Sequence, residues 1–160
     1  MRITLSRGNP HHPNPEDQLA SAHDVAAYIL QKRGEMSAMK LQKLAYYSQA
    51  WHLVWEEKLL FSDRVEAWAN GPVVRSLYDE HRGSFKVRTW SRGDAAKLTA
   101  AQKESIDAVL GFYGPKSAHY LSELTHSEMP WREARMGLPA GARSSQPITP
   151  AAMSEYYGSL

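Results

Sequence analysis

The stretch Lys40-Leu41-Gln42-Lys43-Leu44-Ala45-Tyr46-Tyr47-Ser48-Gln49-Ala50-Trp51-His52-Leu53-Val54-Trp55-Glu56 decides the fold of this chain. Advanced by about 100° per residue, Leu41, Leu44, Ala45, Ser48, Trp51, His52 and Trp55 fall on one broad face of a helix. Met39, Tyr46, Tyr47, Leu53 and Val54 spread apolar surface around most of the remainder. Only Gln42, Gln49 and Glu56, seven residues apart, form a clean polar strip. A helix apolar nearly all round is one that other elements surround. The expectation is therefore a mainly α, compact, single-domain helical bundle around a central helix over about 38–56. Lys40 and Lys43 interrupt the pattern; their stems can lie along the core while the ammonium groups reach water or a carboxylate.

Upstream, Ser21 and Asp24 form a capping box with Asp in the usual Glu position, and Gly34 is a stop. Val25, Ala26, Ile29 and Leu30 make the apolar stripe between them. Downstream, Leu59-Leu60-Phe61, a turn at Ser62-Asp63-Arg64 and an extended Val65 to Ala69 predict a small β-hairpin over about 58–69 leaning on the central helix. Gly71 and Pro72 then read as a break and the first position of a new helix holding Val73, Val74, Leu77 and Tyr78. Phe85 to Trp90 alternates like an edge strand, a second short β element over 85–90. Thr99 and Gln102 cap a helix whose face is Ile106, Val109, Leu110 and Tyr113. Short helices follow at about Ser117 to Leu124 and from Pro130, and Thr149-Pro150 starts a terminal one with Met153, Tyr156 and Tyr157.

Composition bounds the class. The 160 residues, 42% hydrophobic and 22% charged, suit one domain with a real core. The absence of cysteine excludes disulfides, thiolate zinc sites and thiol catalysis, and fits a reducing cytoplasmic setting. No apolar run follows the first arginines as in a signal peptide, and none is long enough to span a membrane. Residues 1–20, with Pro10, Pro13, Pro15 and the pair His11 and His12, read as a flexible tail ahead of a domain at 21–160. A net charge of +2 does not by itself indicate nucleic acid.

Catalytic signals are weak. His52, with Ser48 and Glu66 nearby in sequence, suggests a His–carboxylate or Ser–His site, but no nucleophile elbow, paired acid motif or third member at a recognisable spacing supports it. His119 and His126 lack the spacing of a helical zinc pair, and no phosphate-cradling glycine loop is present. The expectation is a non-enzyme with no metal and no cofactor. Glu66, just before Trp68, reads either as a structural ion pair with Lys40 or Lys43 or as the border of a groove for a partner segment. Trp51, Trp55 and Trp68 read as core. Tyr47, Trp90 and Trp131 sit beside polar or loop positions and are candidates for exposed anchors. From Arg82 to Lys103 the chain carries Arg82, Lys86, Arg88, Arg92, Lys97 and Lys103 against Asp94 alone, with Phe85 and Trp90 interleaved. That strip suits docking of an acidic partner or contact with DNA, although no helix-turn-helix pattern accompanies it.

Three blocks resemble a known family. Lys40-Leu41-Gln42-Lys43-Leu44-Ala45-Tyr46-Tyr47 with Ala50-Trp51-His52 is similar to the opening signature of the Panacea domain, the SocA-like antitoxin or phage-associated GepA-like domain. Glu66-Ala67-Trp68, Gly71-Pro72-Val73-Val74 and Tyr78 resemble its second block. His126, Pro130-Trp131 and Ala134-Arg135, followed by Ile148 and Tyr156-Tyr157, resemble its C-terminal pattern. The likeness spans about residues 22 to 157. It implies a mainly helical bacterial or phage antitoxin that neutralises a cognate protein toxin by direct contact. It also admits, as an alternative, an adaptor that delivers the toxin to the ClpXP protease; the lesser alternative, drawn from the basic strip, is an autoregulator binding DNA through the 82–103 segment. As scaffold positions it implies Lys40, Leu41, Lys43, Tyr46, Trp51, His52, Glu66, Trp68, Gly71, Pro72, Val73, Val74, Tyr78, Pro130 and Trp131. Candidate toxin contacts are Tyr47, Arg82, Lys86, Arg88, Trp90 and Trp131.

Overall fold

Local cap chemistry sets most of the element boundaries. A computed structural model describes residues 19–160. In chain order it contains α1 (Ala22–Arg33), β1 (Met36–Ser37), α2 (Ala38–Glu56), β2 (Val65–Trp68), β3 (Gly71–Val74), α3 (Arg75–His81), β4 (Lys86–Val87), α4 (Ala100–Tyr113), α5 (Ala118–His126), α6 (Met129–Ala134) and α7 (Pro150–Gly158). The chain is mainly α, with two small antiparallel strand pairs. Ser21 caps α1 in a full capping box with Asp24, and Gly34 at φ 81° ends it. Thr99 and Gln102 do the same for α4, and Thr149 with Pro150 starts α7. His11 and His12 lie outside the described residues. Ala20 already belongs to the folded body, donating to the Leu60 carbonyl at 2.9 Å.

Helix α2 runs through the middle, packed by α1, α4, α5, α7 and β3. Leu41, Leu44, Ala45, Tyr46, Tyr47 and Ala50 are fully buried on it. The Trp51 indole stacks on Trp55 with centroids 5.5 Å apart and donates to the Tyr113 hydroxyl at 2.9 Å, tying α2 to α4. Each such ring removes a large apolar area from water, which makes this layer the main source of stability.

The polar strip of α2 does not face solvent. Gln42 and Gln49 are each 2% exposed, and Glu56 is buried too. The Gln42 amide accepts from Val74 N–H at 2.7 Å and donates to the Val74 carbonyl at 3.2 Å, imitating a strand partner. Gln49 does the same for another extended segment, accepting from Leu60 N–H at 2.8 Å and donating to the Phe61 carbonyl at 2.6 Å.

Those two clamps explain a correction to the expected hairpin. Leu59 to Phe61 does not pair with Val65 to Ala69, because Gln49 and Ala20 take its backbone groups. Residues 65–68 instead pair forward with 71–74 across a two-residue turn at Ala69-Asn70, in the register Trp68↔Gly71 to Val65↔Val74. Pro72 is consequently a strand residue opposite Ala67, not the first residue of a helix. It is tolerated because the Ala67 N–H points the other way, to the Gln146 carbonyl at 2.8 Å, so the pair needs no donor from proline. Ile148 N–H to the Val65 carbonyl extends this pairing on the far edge of β2. The 85–90 strand shrinks to β4, which pairs with β1 in the register Met36↔Val87 and Ser37↔Lys86.

Asp63 joins the pieces. Its carboxylate accepts from the Ala22 N–H at the start of α1 and from the Ser76 hydroxyl on α3. The turn at 62–64 is therefore a three-way junction rather than a hairpin tip. Among the described residues no helix is long and apolar enough to cross a membrane.

Candidate functional site

Three elements leave a gap at the N-terminal end of α2. The tip of the β2–β3 hairpin forms one wall, α3 and the segment to Phe85 a second, and the loop at 143–145 a third. The resulting cleft has a volume of about 970 Å³. Its apolar surface comes from Met39, Trp68, Val73, Tyr78 and Phe85. Trp68 and Tyr78 meet edge to face at 4.6 Å, while Phe85 stands 78% exposed at the mouth.

The charge of the cleft is one-sided. Lys43, Arg75, Arg82 and Arg143 line it, and among the described residues no carboxylate does. Arg75 is engaged, donating to Asp79 at 3.1 Å and lying 3.8 Å from Glu66. Arg82 and Arg143 are exposed cations with no ion pair among the described residues. Lys43 differs from all three: it is 1% exposed, yet it belongs to the cleft floor and makes no hydrogen bond or ion pair among the described residues. Burial alone pushes its amine down to about 7, because nothing nearby compensates the charged form.

The polar floor is ordered by Gln42. Its amide oxygen is fixed by the Val74 N–H, so the amide nitrogen must donate, and it meets His81 Nε2 at 3.0 Å. His81 is thereby an acceptor and neutral, in keeping with the downward push that burial gives its pKa. Gly71 completes the floor. At φ +118° it would place a Cβ 2.5 Å from Lys43 Cε and 3.0 Å from the Thr125 hydroxyl, so only glycine lets the lysine stem pass beneath the hairpin.

Several sequence-derived candidates sit elsewhere. Glu66 pairs with neither Lys40 nor Lys43. On β2 its carboxylate shares a face with its i±2 neighbours, accepting from Arg64 Nε at 2.9 Å and Trp68 Nε1 at 2.8 Å. The Lys43 side chain instead runs beside Gly71, and Lys40 is only half-buried. Glu66 does serve to fix Trp68 at the cleft edge.

Tyr47, Trp90 and Trp131, expected as exposed anchors, are buried at 0%, 7% and 8% exposure. Each has its polar atom matched to a distant acceptor, which makes burial affordable. Tyr47 donates to Glu128 at 2.7 Å, Trp90 to His23 Nδ1 at 2.9 Å, and Trp131 to the Trp68 carbonyl at 2.7 Å. Trp131 also stacks on His126 at 4.1 Å and lies under the Arg135 guanidinium. With Trp90 inside, Phe85 is the one exposed ring left among the basic residues of the 82–103 strip. Arg82, Lys86 and Arg88 are exposed as expected. Arg92 reaches Glu80, and Lys103 lies over the Tyr28 ring on another face.

The Ser48–His52–Glu66 arrangement is not assembled. The Ser48 hydroxyl donates back to the Leu44 carbonyl, His52 Nδ1 meets the Ser105 hydroxyl at 2.8 Å, and Glu66 is held on the hairpin. Among the described residues no group of three or more acidic or histidine side chains could hold a metal.

Gln42, His81, Arg143 and the unpaired state of Lys43 among the described residues are the features the sequence did not single out for this site, whereas Phe85 was already visible as a ring interleaved with the basic strip. The one available signal was the seven-residue recurrence of glutamine on a helix otherwise apolar all round.

The model of one protein family, described as antitoxin SocA-like, Panacea domain, matches residues 41–132, more than half of the chain. The match contains Lys43, Gly71, Trp68, Arg82 and Phe85, and ends just past Trp131; Arg143 lies beyond it. No curated protein matches the chain, and no solved structure does.

Proposed function

The chain belongs to the SocA-like antitoxin, Panacea domain family, and from that premise we propose that it neutralises one cognate protein toxin in the cytosol by direct contact. The cleft beside Lys43 is the contact surface. The observation that carries this reading is the combination of exposed Phe85 and Met39, unpaired Arg82 and Arg143, and a floor held rigid by Gln42 and Gly71. Stable interfaces put apolar and aromatic anchors in the middle and charged groups at the rim. A pre-formed cleft also spares the ordering cost that a flexible surface pays on binding.

Co-expression with the product of the neighbouring gene tests the reading. That product alone should arrest growth, and this chain should restore growth and co-purify with it. A harmless neighbour with no complex would overturn the assignment. Rescue that disappears in cells lacking ClpXP, with the toxin accumulating, would replace inhibition by delivery to the protease.

A further inference from the structure

We propose that the cleft takes an extended acidic segment of its protein partner, with one Asp or Glu carboxylate seated on Lys43 and the flanking backbone passing between Arg82 and Arg143. This deepens the toxin-binding reading and rests on it for the identity of the partner, though not for the chemistry of the site.

Three observations converge. Lys43 is buried and has no counter-ion among the described residues, whereas buried cations in folded proteins are ordinarily paired. The other charged side chains on the cleft lining, Arg75, Arg82 and Arg143, are all cationic, and among the described residues no carboxylate lines it. The apolar part, Trp68, Tyr78 and Phe85, excludes water from an occupant and so strengthens a charge pair formed there. An isolated lysine in such a place costs stability unless something else supplies the negative charge. A neutral or basic peptide would leave that cost in place, and a carboxylate removes it.

The pH behaviour separates this pairing from ordinary surface attraction. The free Lys43 amine has its pKa near 7, so seating a carboxylate requires it to take up a proton at higher pH. His81 on α3 and His126 on α5 face Lys43, and burial lowers both below their ordinary range, so both are neutral above pH 7. Arg75 stays charged throughout. The change in affinity between pH 7 and 9 therefore belongs to Lys43.

The experiment uses the full chain and an array of decapeptides rich in Leu and Phe, each carrying a single Asp or Glu, beside matched Asn or Gln versions. The acid peptides should be retained over their amide partners, with affinity falling about tenfold per pH unit above pH 7. Lys43→Met should abolish the acid preference, a loss of roughly thirtyfold for the acid peptides. Arg82→Glu with Arg143→Glu should weaken all acid peptides and leave the fold unchanged by circular dichroism. If Lys43→Met fails to fold, the wild-type pH series and the arginine pair decide. Equal retention of acid and amide peptides, or an affinity flat from pH 7 to 9, overturns the proposal even where toxin neutralisation holds. Acid-selective retention dependent on Lys43, in a chain that rescues no neighbouring toxin, would uphold the site and remove the toxin.

Discussion

Lys43 and Gly71 occupy each other's space: a Cβ on residue 71 would stand 2.5 Å from Lys43 Cε, with the ammonium nitrogen 3.2 Å away. One residue comes from the central helix and the other from the hairpin, so the two halves of the site are fitted at this point. Gly71 also holds φ +118°, a region that side chains with a Cβ resist. Gly71→Ala should therefore cost about 2–3 kcal/mol, adding backbone strain to displacement of a buried side chain. Urea denaturation of the variant measures it. A loss below about 0.5 kcal/mol would mean the lysine stem moves aside freely.

The titration of Lys43 gives a stability profile with a definite sign. Its pKa is near 7 when folded and at the ordinary lysine value of 10.5 when unfolded. Between those values the unfolded chain binds the extra proton, so stability rises with pH, and it is lost again as pH falls through 10.5 towards 7. Tyr46, Tyr47 and Tyr157 act in the opposite sense, since burial raises each well above its ordinary value. Their contribution is complete below about pH 10 and is lost above it, as the unfolded tyrosines ionise first. Stability should thus climb from pH 7, reach a maximum near about 9.5 and fall beyond. Lys43→Met should remove the climb and leave the fall. Thermal melts at half-unit intervals check both limbs.

Glu128 holds the C-terminal helices on α2. One carboxylate oxygen accepts from Tyr47 and from Tyr157, each at 2.7 Å, and Tyr157 also meets Tyr46 at 3.1 Å. Burial raises the Glu128 pKa, and the two hydroxyl donors oppose that rise. Glu128→Ala strands the buried Tyr47 hydroxyl and leaves Tyr157 only its bond to Tyr46, and should cost about 3 kcal/mol. Glu128→Gln keeps an acceptor and removes the buried charge, so it should cost less than half as much. Equal losses in the two variants, measured by denaturation, would show that packing rather than acceptance holds α7.

Gln42 carries a prediction of a different kind, because it bonds both backbone groups of one residue, Val74. Gln42→Ala leaves the buried Val74 N–H without its partner, takes a second donor from the Val74 carbonyl, which as N-cap also receives the first bond of α3, and removes the donor to His81. The expected cost is about 2–4 kcal/mol, with hydrogen exchange of the Val74 amide accelerated far more than that of α4. Uniform acceleration across the chain would place Gln42 in the global core instead of at a local clamp.

Glu128 and Gln42 also mark where the sequence was legible and where it was not. The capping boxes Ser21/Asp24 and Thr99/Gln102 could be read because donor and acceptor lie three residues apart. The surrounded state of α2 could be read because periodicity records burial. The hairpin could not, since its strand pairing was decided by Gln42, Gln49 and Ala20, all distant in sequence. Tyr47, Trp90 and Trp131 misled for the same reason. Their sequence neighbours are polar, while the acceptors that allow them inside are Glu128, His23 and the Trp68 carbonyl. The cleft itself draws Arg143 from a loop whose position is fixed by Arg135 donating to the Pro139, Ala140 and Ala142 carbonyls, by the distant Arg64 donating to the Ser145 carbonyl, and by residues 146–148 pairing with β2.

The last prediction concerns which basic residues matter for function. The 82–103 strip looked continuous in sequence, yet it divides when folded: Arg82 lines the cleft, while Lys97 and Lys103 lie away from it. Arg82→Glu with Arg143→Glu should abolish rescue from the toxin and weaken the complex at least tenfold, since reversal places like charges against an acidic partner. Lys97→Glu with Lys103→Glu makes the same change in net charge, and rescue should persist. A surface that worked through overall positive charge, as non-specific DNA contact does, would respond equally to both pairs and would lose affinity steeply with salt. A docked peptide held through Lys43 depends on the first pair alone, and its affinity falls less with salt because its central charge pair is buried.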